Sequence, residues 1–419
     1  MSEEVIYSAS WLINPDAPPV VGGALLVHDG IIAETGTVSS LRSKYSAPVH
    51  DFPGCALIPG FVNAHTHLEL THFPSWRLRS GVDYNPRRFT DWIIQLIKIS
   101  RGLTPEEYPP SVREGVRMCL ESGTTAIGEI VTNTALAGLY HESPLAGRLY
   151  FELLGQESDH FRSKLAAATA AALAGKMHLL RPGLSPHSPY TITHHYLPEI
   201  RITSAAHALP LAIHLSESQS ESDFTFDQTG ELATSFYPFV GWERFLGQPA
   251  RCSSTELLDS HGLLTPTTLA VHCVHVSVAD ASILKSRGVH VALCPRSNEL
   301  LDVGRAPVSL FQKMGIPLSL GTDSLASNNS LSLWDELRFA LDIFPDDLTE
   351  TDIFRMVTTG GAAALGISSA CGSLDKGKRA DFQVIAGCDG GEGGVLERVI
   401  REGCMQEVYV GGVCYTGNV

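Results

Sequence analysis

Ala56-Leu57-Ile58-Pro59-Gly60-Phe61-Val62-Asn63-Ala64-His65-Thr66-His67 decides the fold of this chain. The apolar approach reads as a buried strand, and it ends on two histidines separated by one residue. Residues two apart in a strand face the same side, about 6.6 Å apart along the axis. His65 and His67 can therefore turn both imidazoles toward one small ion. Zinc takes imidazole nitrogen readily, at about 2.0–2.1 Å. In a chain with 17 histidines such a pair also arises by chance, so the reading depends on where the other polar residues fall.

Similar apolar runs recur at Thr125–Ile130, Leu149–Leu154, Leu179–Leu184, Leu209–Leu215, Leu269–Val274, Val289–Leu293 and Ile316–Leu320, which with the first makes eight. Helical patterns lie between them at Ser111–Glu121, Lys164–Ala174, Val278–Ser286, Pro307–Met314 and Leu333–Leu341. Strands alternating with helices imply parallel pairing and right-handed crossovers. Eight units in roughly 310 residues predict a closed (β/α)8 TIM-type barrel; a doubly wound open sheet is the alternative.

The ends have a different texture. Val5-Ile6-Tyr7, Gly23–Val27 and Ile31-Ile32-Ala33 read as short strands, with Asp29-Gly30 as a hairpin turn. Asp381–Ile385 and Glu407–Val410 repeat that pattern near the C-terminus. Residues 1–57 and 371–419 are thus expected to form one small β-sandwich domain built from both termini, and 58–370 the barrel. The stretch from Ser216 to His261 is long for one connection, which suits a lid, a binding loop or a disordered insertion.

Composition narrows the function. Hydrophobic residues at 44% and charged residues at 18% describe a soluble globular protein with a large core. A formal charge of −15 argues against a nucleic-acid polymer as partner, though not against a single nucleoside. No apolar run reaches the roughly 18 residues that span a bilayer, and the acidic start lacks the layout of a signal peptide. Nine cysteines without a Cys-X-X-Cys pair suit free, mostly buried thiols in a reducing cytoplasm, and Cys273 and Cys294 read as small core residues. The expected partner is a small molecule, with no membrane and with a homodimer left open.

In a barrel of this kind, reacting side chains collect where strands end and loops begin. The first strand ends in His65 and His67, the fourth in Ser185-Pro186-His187-Ser188-Pro189-Tyr190, and the fifth in His214-Leu215-Ser216-Glu217. The sixth ends in His272-Cys273-Val274-His275, the seventh in Arg296-Ser297-Asn298, and the eighth in Gly321-Thr322-Asp323-Ser324. So many placements at one rim favour a metal site. His65, His67, His214 and Asp323 offer three nitrogens and a carboxylate, a set suited to one divalent ion, Zn²⁺ foremost with Fe²⁺ as the alternative, and leaving room for a water. Such an ion can lower the pKa of its water to about 7. Asp323 is placed to accept that water's proton, Glu217 to donate and accept one beside the substrate, and His272 to orient the attack. His275, three residues on, reads as structural.

Together these residues resemble the amidohydrolase superfamily, in its single-metal branch of deaminases and triazine chlorohydrolases. Pro59–His65 and Gly372–Phe382 are similar to the places where such barrels join their β-domain, so the resemblance covers nearly the whole chain. The fourth strand end offers His187 and no nearby lysine, unlike two-metal members, which implies one metal. His65–Leu70, Phe89-Thr90-Asp91-Trp92 and Cys294–Asn298 look most like aminodeoxyfutalosine deaminases of menaquinone biosynthesis. Methylthioadenosine and S-adenosylhomocysteine deaminases often carry Met after His-X-His, where this chain has Glu69-Leu70.

The resemblance implies an aminohydrolase that releases ammonia from an adenine-type nucleoside, 6-amino-6-deoxyfutalosine or a 5′-modified adenosine, with His187 at the substrate. Glu69 is a candidate for a ribose hydroxyl or polar tail, or else a brace of its loop. Arg296 is a candidate for a substrate carboxylate, or else a surface ion pair. Trp92 is pocket wall or core, and Asn298 stands with Arg296 as a substrate-binding candidate. A same-fold hydrolase of another C–N or C–Cl bond is the alternative function, and a barrel kept only for binding a further one. His67-Leu68-Glu69 as the His-X-Glu of the unrelated zinc deaminases fails, because the Pro-Cys-X-X-Cys those need is missing.

Overall fold

The computed structural model describes residues 4–140, 142–174, 179–388 and 393–415. Its strands form two eight-stranded sheets. The central one is wholly parallel and runs in chain order: β1 (Phe61–Thr66), β2 (Thr124–Val131), β3 (Ala146–Leu153), β4 (Leu180–Pro186), β5 (Leu211–Leu215), β6 (Thr268–His272), β7 (His290–Leu293) and β8 (Leu318–Leu320). A parallel bridge from Thr66 to Asp323 closes it, and the Asp323 amide donates to the His65 carbonyl at 3.1 Å. Gly321 permits that approach, since a Cβ there would lie 2.8 Å from the His65 carbonyl oxygen. The open-sheet alternative is excluded by this closure.

Hydrophobic alternation places the walls. Outward residues such as Phe61, Ile127, Phe151, Ile213 and Leu293 pack in one large core with helix residues such as Val112, Phe311 and Leu337. Inward residues Val62, Ala126, Ala212, Leu269 and Val271 form a second cluster with Ala362 and Leu365. The apolar run read as one strand over Ala56–Ala64 is broken at Gly60, with Val49–Pro59 in the second sheet and Phe61–Thr66 in the barrel. The other predicted strands and helices are present with their ends moved by up to six residues, as in the helix predicted from Ser111, which starts at Tyr108. Helices the periodicity did not single out include Phe89–Arg101 and Leu197–His207.

The second sheet is mixed and draws on both ends of the chain. Its order is Val413–Cys414, Cys404–Val410, Phe382–Ala386, Val49–Pro59, Glu4–Leu12, Gly23–His28 and Ile31–Thr37, with Val20–Val21 beside Glu4–Leu12. Phe382 and Tyr409 stack at 4.4 Å, and Tyr7 meets each ring at 5.0 Å, so N- and C-terminal strands share one core. The buried Gln383 ties this sheet to the barrel, donating to the Pro59 carbonyl at 3.1 Å and accepting from the Trp334 indole at 3.0 Å. Among the described residues no helix is long and apolar enough to cross a membrane.

Candidate functional site

The strand ends at one mouth of the barrel leave regular geometry where side chains must converge. Along β6, Leu269 and Val271 face inward and Ala270 outward, so strict alternation would send His272 out of the barrel. Left-handed backbone at His272 (φ 70°) and Cys273 (φ 50°) reverses this, putting the imidazole inside and the thiol in the outer core. Along β1 the ladder to β2 shifts register between Asn63 and Thr66. That shift lets His65 and His67 follow the inward Val62 and Ala64 and still meet. Asp323 is also left-handed, at φ 59°. Such conformations cost roughly 1–3 kcal/mol each and persist where the surroundings demand them.

The resulting cluster fits a metal. His65 and His67 bring their Nε2 atoms to 3.2 Å, and Asp323 Oδ1 lies 3.6 Å from the first and 3.5 Å from the second. Ligand atoms about 2.0–2.2 Å from one tetrahedral ion stand about 3.3–3.6 Å apart. His214 and His272 form a second group with His65, each of the three offering a ligand atom within 4.8 Å of the others. His214 Nδ1 faces the His187 carbonyl at 2.8 Å, so that nitrogen carries the proton and Nε2 turns its lone pair to the cluster. Asp323 Oδ2 is held by the hydroxyls of Ser297 and Ser327, both at 2.7 Å, which leaves Oδ1 for the site.

Burial drives the protonation states. It pushes His67 down to about 3, aided by the neighbouring His65, and lowers His65 and His214 as well. Neutral imidazoles are what a cation requires. Burial would raise Asp323, but the imidazoles of His65 and His67 outweigh it and hold the carboxyl well below the usual range. Glu217 goes the other way, pushed up to about 7 by burial. Its Oε1 lies 3.6 Å from His272 Nε2, a buried atom with no hydrogen-bond partner. His272 Nδ1 is fixed by Asn298 Oδ1 at 2.9 Å.

These groups floor a cavity of about 500 Å³. His67, Glu69, Trp92, His187, His214, Glu217, His272 and Asp323 all line it, and His65 lies fully buried beneath. Arg296 and Asn298 do not line it. Arg296 turns to Asn328, Asn329 and the buried Glu336, while its own amide donates to Glu336 at 2.8 Å. Asn298 reaches the site only through His272. His275 turns away to the Val303 carbonyl, at 2.8 Å. The residues from 216 to 261 supply wall, through Phe236, Val240 and Trp242.

Sequence reasoning missed Thr132 and Glu152 on the cavity wall, where Thr132 donates to Glu152 at 2.9 Å. A lone carboxylate near the end of the apolar run at Leu149 was the available signal. Ser297 and Ser327 carried none.

Comparison with known proteins agrees with this geometry. A 5-methylthioadenosine/S-adenosylhomocysteine deaminase of Desulforudis audaxviator is 32% identical over 383 residues, covering 87% of this chain and 81% of that one. An aminodeoxyfutalosine deaminase of Deinococcus radiodurans is 28% identical over 355 residues, covering 82% and 81%. In fold, the chain is similar to the crystal structure of Helicobacter pylori aminofutalosine deaminase in complex with methylthio-coformycin, with a TM-score of 0.85 at 22% identity over 98% of this chain and 99% of that one. The model of the amidohydrolase family matches residues 56–413, from the strand that enters the barrel to the last strand of the second sheet, and the chain belongs to that family.

Proposed function

We propose that this protein hydrolyses the exocyclic amine of an adenine-type nucleoside, a 5′-modified adenosine or 6-amino-6-deoxyfutalosine, and releases ammonia. One observation carries the reading: at the floor of one cavity His65, His67 and Asp323 converge to 3.2–3.6 Å of one another, with the buried Glu217 beside them, 3.6 Å from His272. Glu217 sits at about 7 and Asp323 well below its usual range. Carboxyls pushed apart in this way are matched to the roles of proton donor and proton acceptor. The deaminase relatives support the choice of substrate.

His65, His67, His214 and Asp323 would hold one divalent ion, with zinc as the first choice. When bound, the ion would supply Lewis-acid activation of a water molecule. Asp323 accepts a proton from the attacking water as the water oxygen bonds to the amine-bearing ring carbon. Glu217 donates its proton to the adjacent ring nitrogen, while His272, oriented by Asn298, directs the attacking oxygen. Asp323 then passes its proton to the departing amine, the C–N bond breaks, and ammonia leaves. As the ring carbonyl forms, the remaining hydroxyl proton returns to Glu217. Glu69, Trp92 and His187 would face the nucleoside.

Ammonia release with loss of adenine absorbance tests this against adenosine, 5′-methylthioadenosine, S-adenosylhomocysteine, aminodeoxyfutalosine, guanine and a chlorotriazine. Turnover confined to the adenine nucleosides is expected. Turnover of guanine or the triazine alone would overturn the reading.

A further inference from the structure

Glu217 stands on a turn that a second carboxylate, Glu221, holds from behind. The turn follows β5, and Ser216 within it is left-handed, at φ 51°. Two successive peptide groups lead into Glu217, and each is tied at both ends. In the first, the Leu215 carbonyl accepts from the Cys273 amide at 3.0 Å, and the Ser216 amide donates to Glu221 Oε1 at 2.8 Å. In the second, the Ser216 carbonyl accepts from the His275 amide at 2.8 Å, and the Glu217 amide donates to Glu221 Oε2 at 3.1 Å. The carbonyls are thus held by the backbone that follows His272, and the amides by one fully buried side chain.

Helix capping does not account for this placement. Glu221 is the third residue of the helix Gln219–Asp227, and the Ser218 hydroxyl caps that helix by accepting from the Glu221 amide. A carboxylate at the third position ordinarily reaches back to the amide of the capping residue itself. Glu107 does so with Thr104, Glu256 with Ser253, Asp280 with Ser277 and Asp352 with Thr349. Glu221 instead passes over Ser218 and takes the two amides before it. A buried carboxylate is unfavourable unless donors meet it, and a left-handed serine persists only where its surroundings demand it. Both conditions are met at the residues beside Glu217.

We infer that Glu221 is a positioning residue for the reaction, fixing the turn from which Glu217 presents its carboxyl to the substrate ring. The inference rests on the adenine-nucleoside reading with Glu217 as its proton donor. Misplacing a reacting group by about 1 Å can cost about 10²-fold in rate. Three ionisable neighbours face Glu217: His272, Asp323 and Glu221. Releasing the turn would let water reach Glu217, and removing the Glu221 charge would take away a like neighbour. Each change makes Glu217 easier to ionise, so its protonated form would be lost at a lower pH than in the wild type.

Glu221→Gln tests this, because it keeps the size of the side chain but turns one acceptor into a donor against a backbone amide. With 5′-methylthioadenosine as substrate, zinc content and KM should stay within about threefold of wild type while kcat falls about ten- to a hundredfold. The alkaline limb of kcat/KM should move about one unit lower. Ser218→Ala removes the helix cap and leaves both amides bonded, so it should lower the thermal midpoint without changing kcat or the limb. If the Gln variant does not fold, Glu221→Asp, which withdraws the carboxylate by one methylene, should show the same fall in kcat and the same direction of shift. A folded variant with wild-type kcat and limb would overturn the inference. So would a lowered kcat with the limb unmoved, the mark of a smaller folded fraction, or both changes reproduced by Ser218→Ala. If the wild type releases no ammonia from adenine nucleosides, that reading falls and this inference with it. Wild-type turnover beside an unaffected Glu221 variant removes Glu221 alone.

Discussion

Removing the two hydroxyls that hold Asp323 should loosen the metal site without touching a ligand. Ser297 and Ser327 are fully buried, and each donates to Asp323 Oδ2 at 2.7 Å. A hydrogen bond to a charged group is worth about 1.5–3 kcal/mol net, and each 1.4 kcal/mol is about tenfold in affinity. Ser297→Ala alone should thus weaken metal binding only roughly tenfold, the low end of that range, because Oδ2 keeps its other donor. The double variant with Ser327→Ala leaves a buried carboxylate oxygen without either donor. Two donors sharing one acceptor are not additive, so the combined loss is set at about 2–4 kcal/mol, or roughly 30- to 1000-fold. Competition with a chromophoric zinc chelator reads this directly, with circular dichroism as the check on folding. A folded double variant that binds zinc within about threefold of wild type would refute the claim that these serines orient the carboxylate.

Glu217→Gln should leave the fold and metal content unchanged and reduce turnover by at least about 10²-fold, the usual contribution of a positioned proton donor; near-normal rates in the purified variant would remove Glu217 from the mechanism. In the proposed mechanism Glu217 acts in its protonated form, and burial pushes it up to about 7, so kcat/KM should be level below that pH and fall about tenfold per unit above it. A profile flat from about pH 6 to about pH 9 would contradict this. Arg296→Met should act on stability and not on substrate: loss of its contacts with the buried Glu336 and with Asn328 is expected to cost about 2–4 kcal/mol and to lower the thermal midpoint. A raised KM at unchanged stability would put Arg296 back at the substrate. Stripping metal with a chelator should abolish activity, and restoring zinc or ferrous ion should return it; full activity in protein shown metal-free by elemental analysis would end the metal-dependent account.

The sequence by itself determined the barrel and the convergence of its chemistry. Strand periodicity is local, so eight apolar runs separated by helical patterns were legible, and a barrel collects its strand ends at one mouth whatever the loops do. That placed His65, His67, His214, Glu217, His272 and Asp323 at one rim. What sequence pattern does not carry is side-chain direction wherever the backbone departs from the regular pleat. Alternation would have turned His272 outward; the left-handed backbone after Val271 turned it in. Arg296 looked available for a carboxylate until the loop after β8 and the helix Leu333–Ile343 brought Asn328, Asn329 and Glu336 against it. Ser297 became a holder of Asp323 only because the ends of β7 and β8 packed side by side, Ser327 only because the turn after β8 folds back on the carboxylate four residues before it, and the cavity wall came from a helix between β1 and β2 facing short helical segments after β5. Those pairings depend on which surfaces meet, so tertiary structure alone decided them.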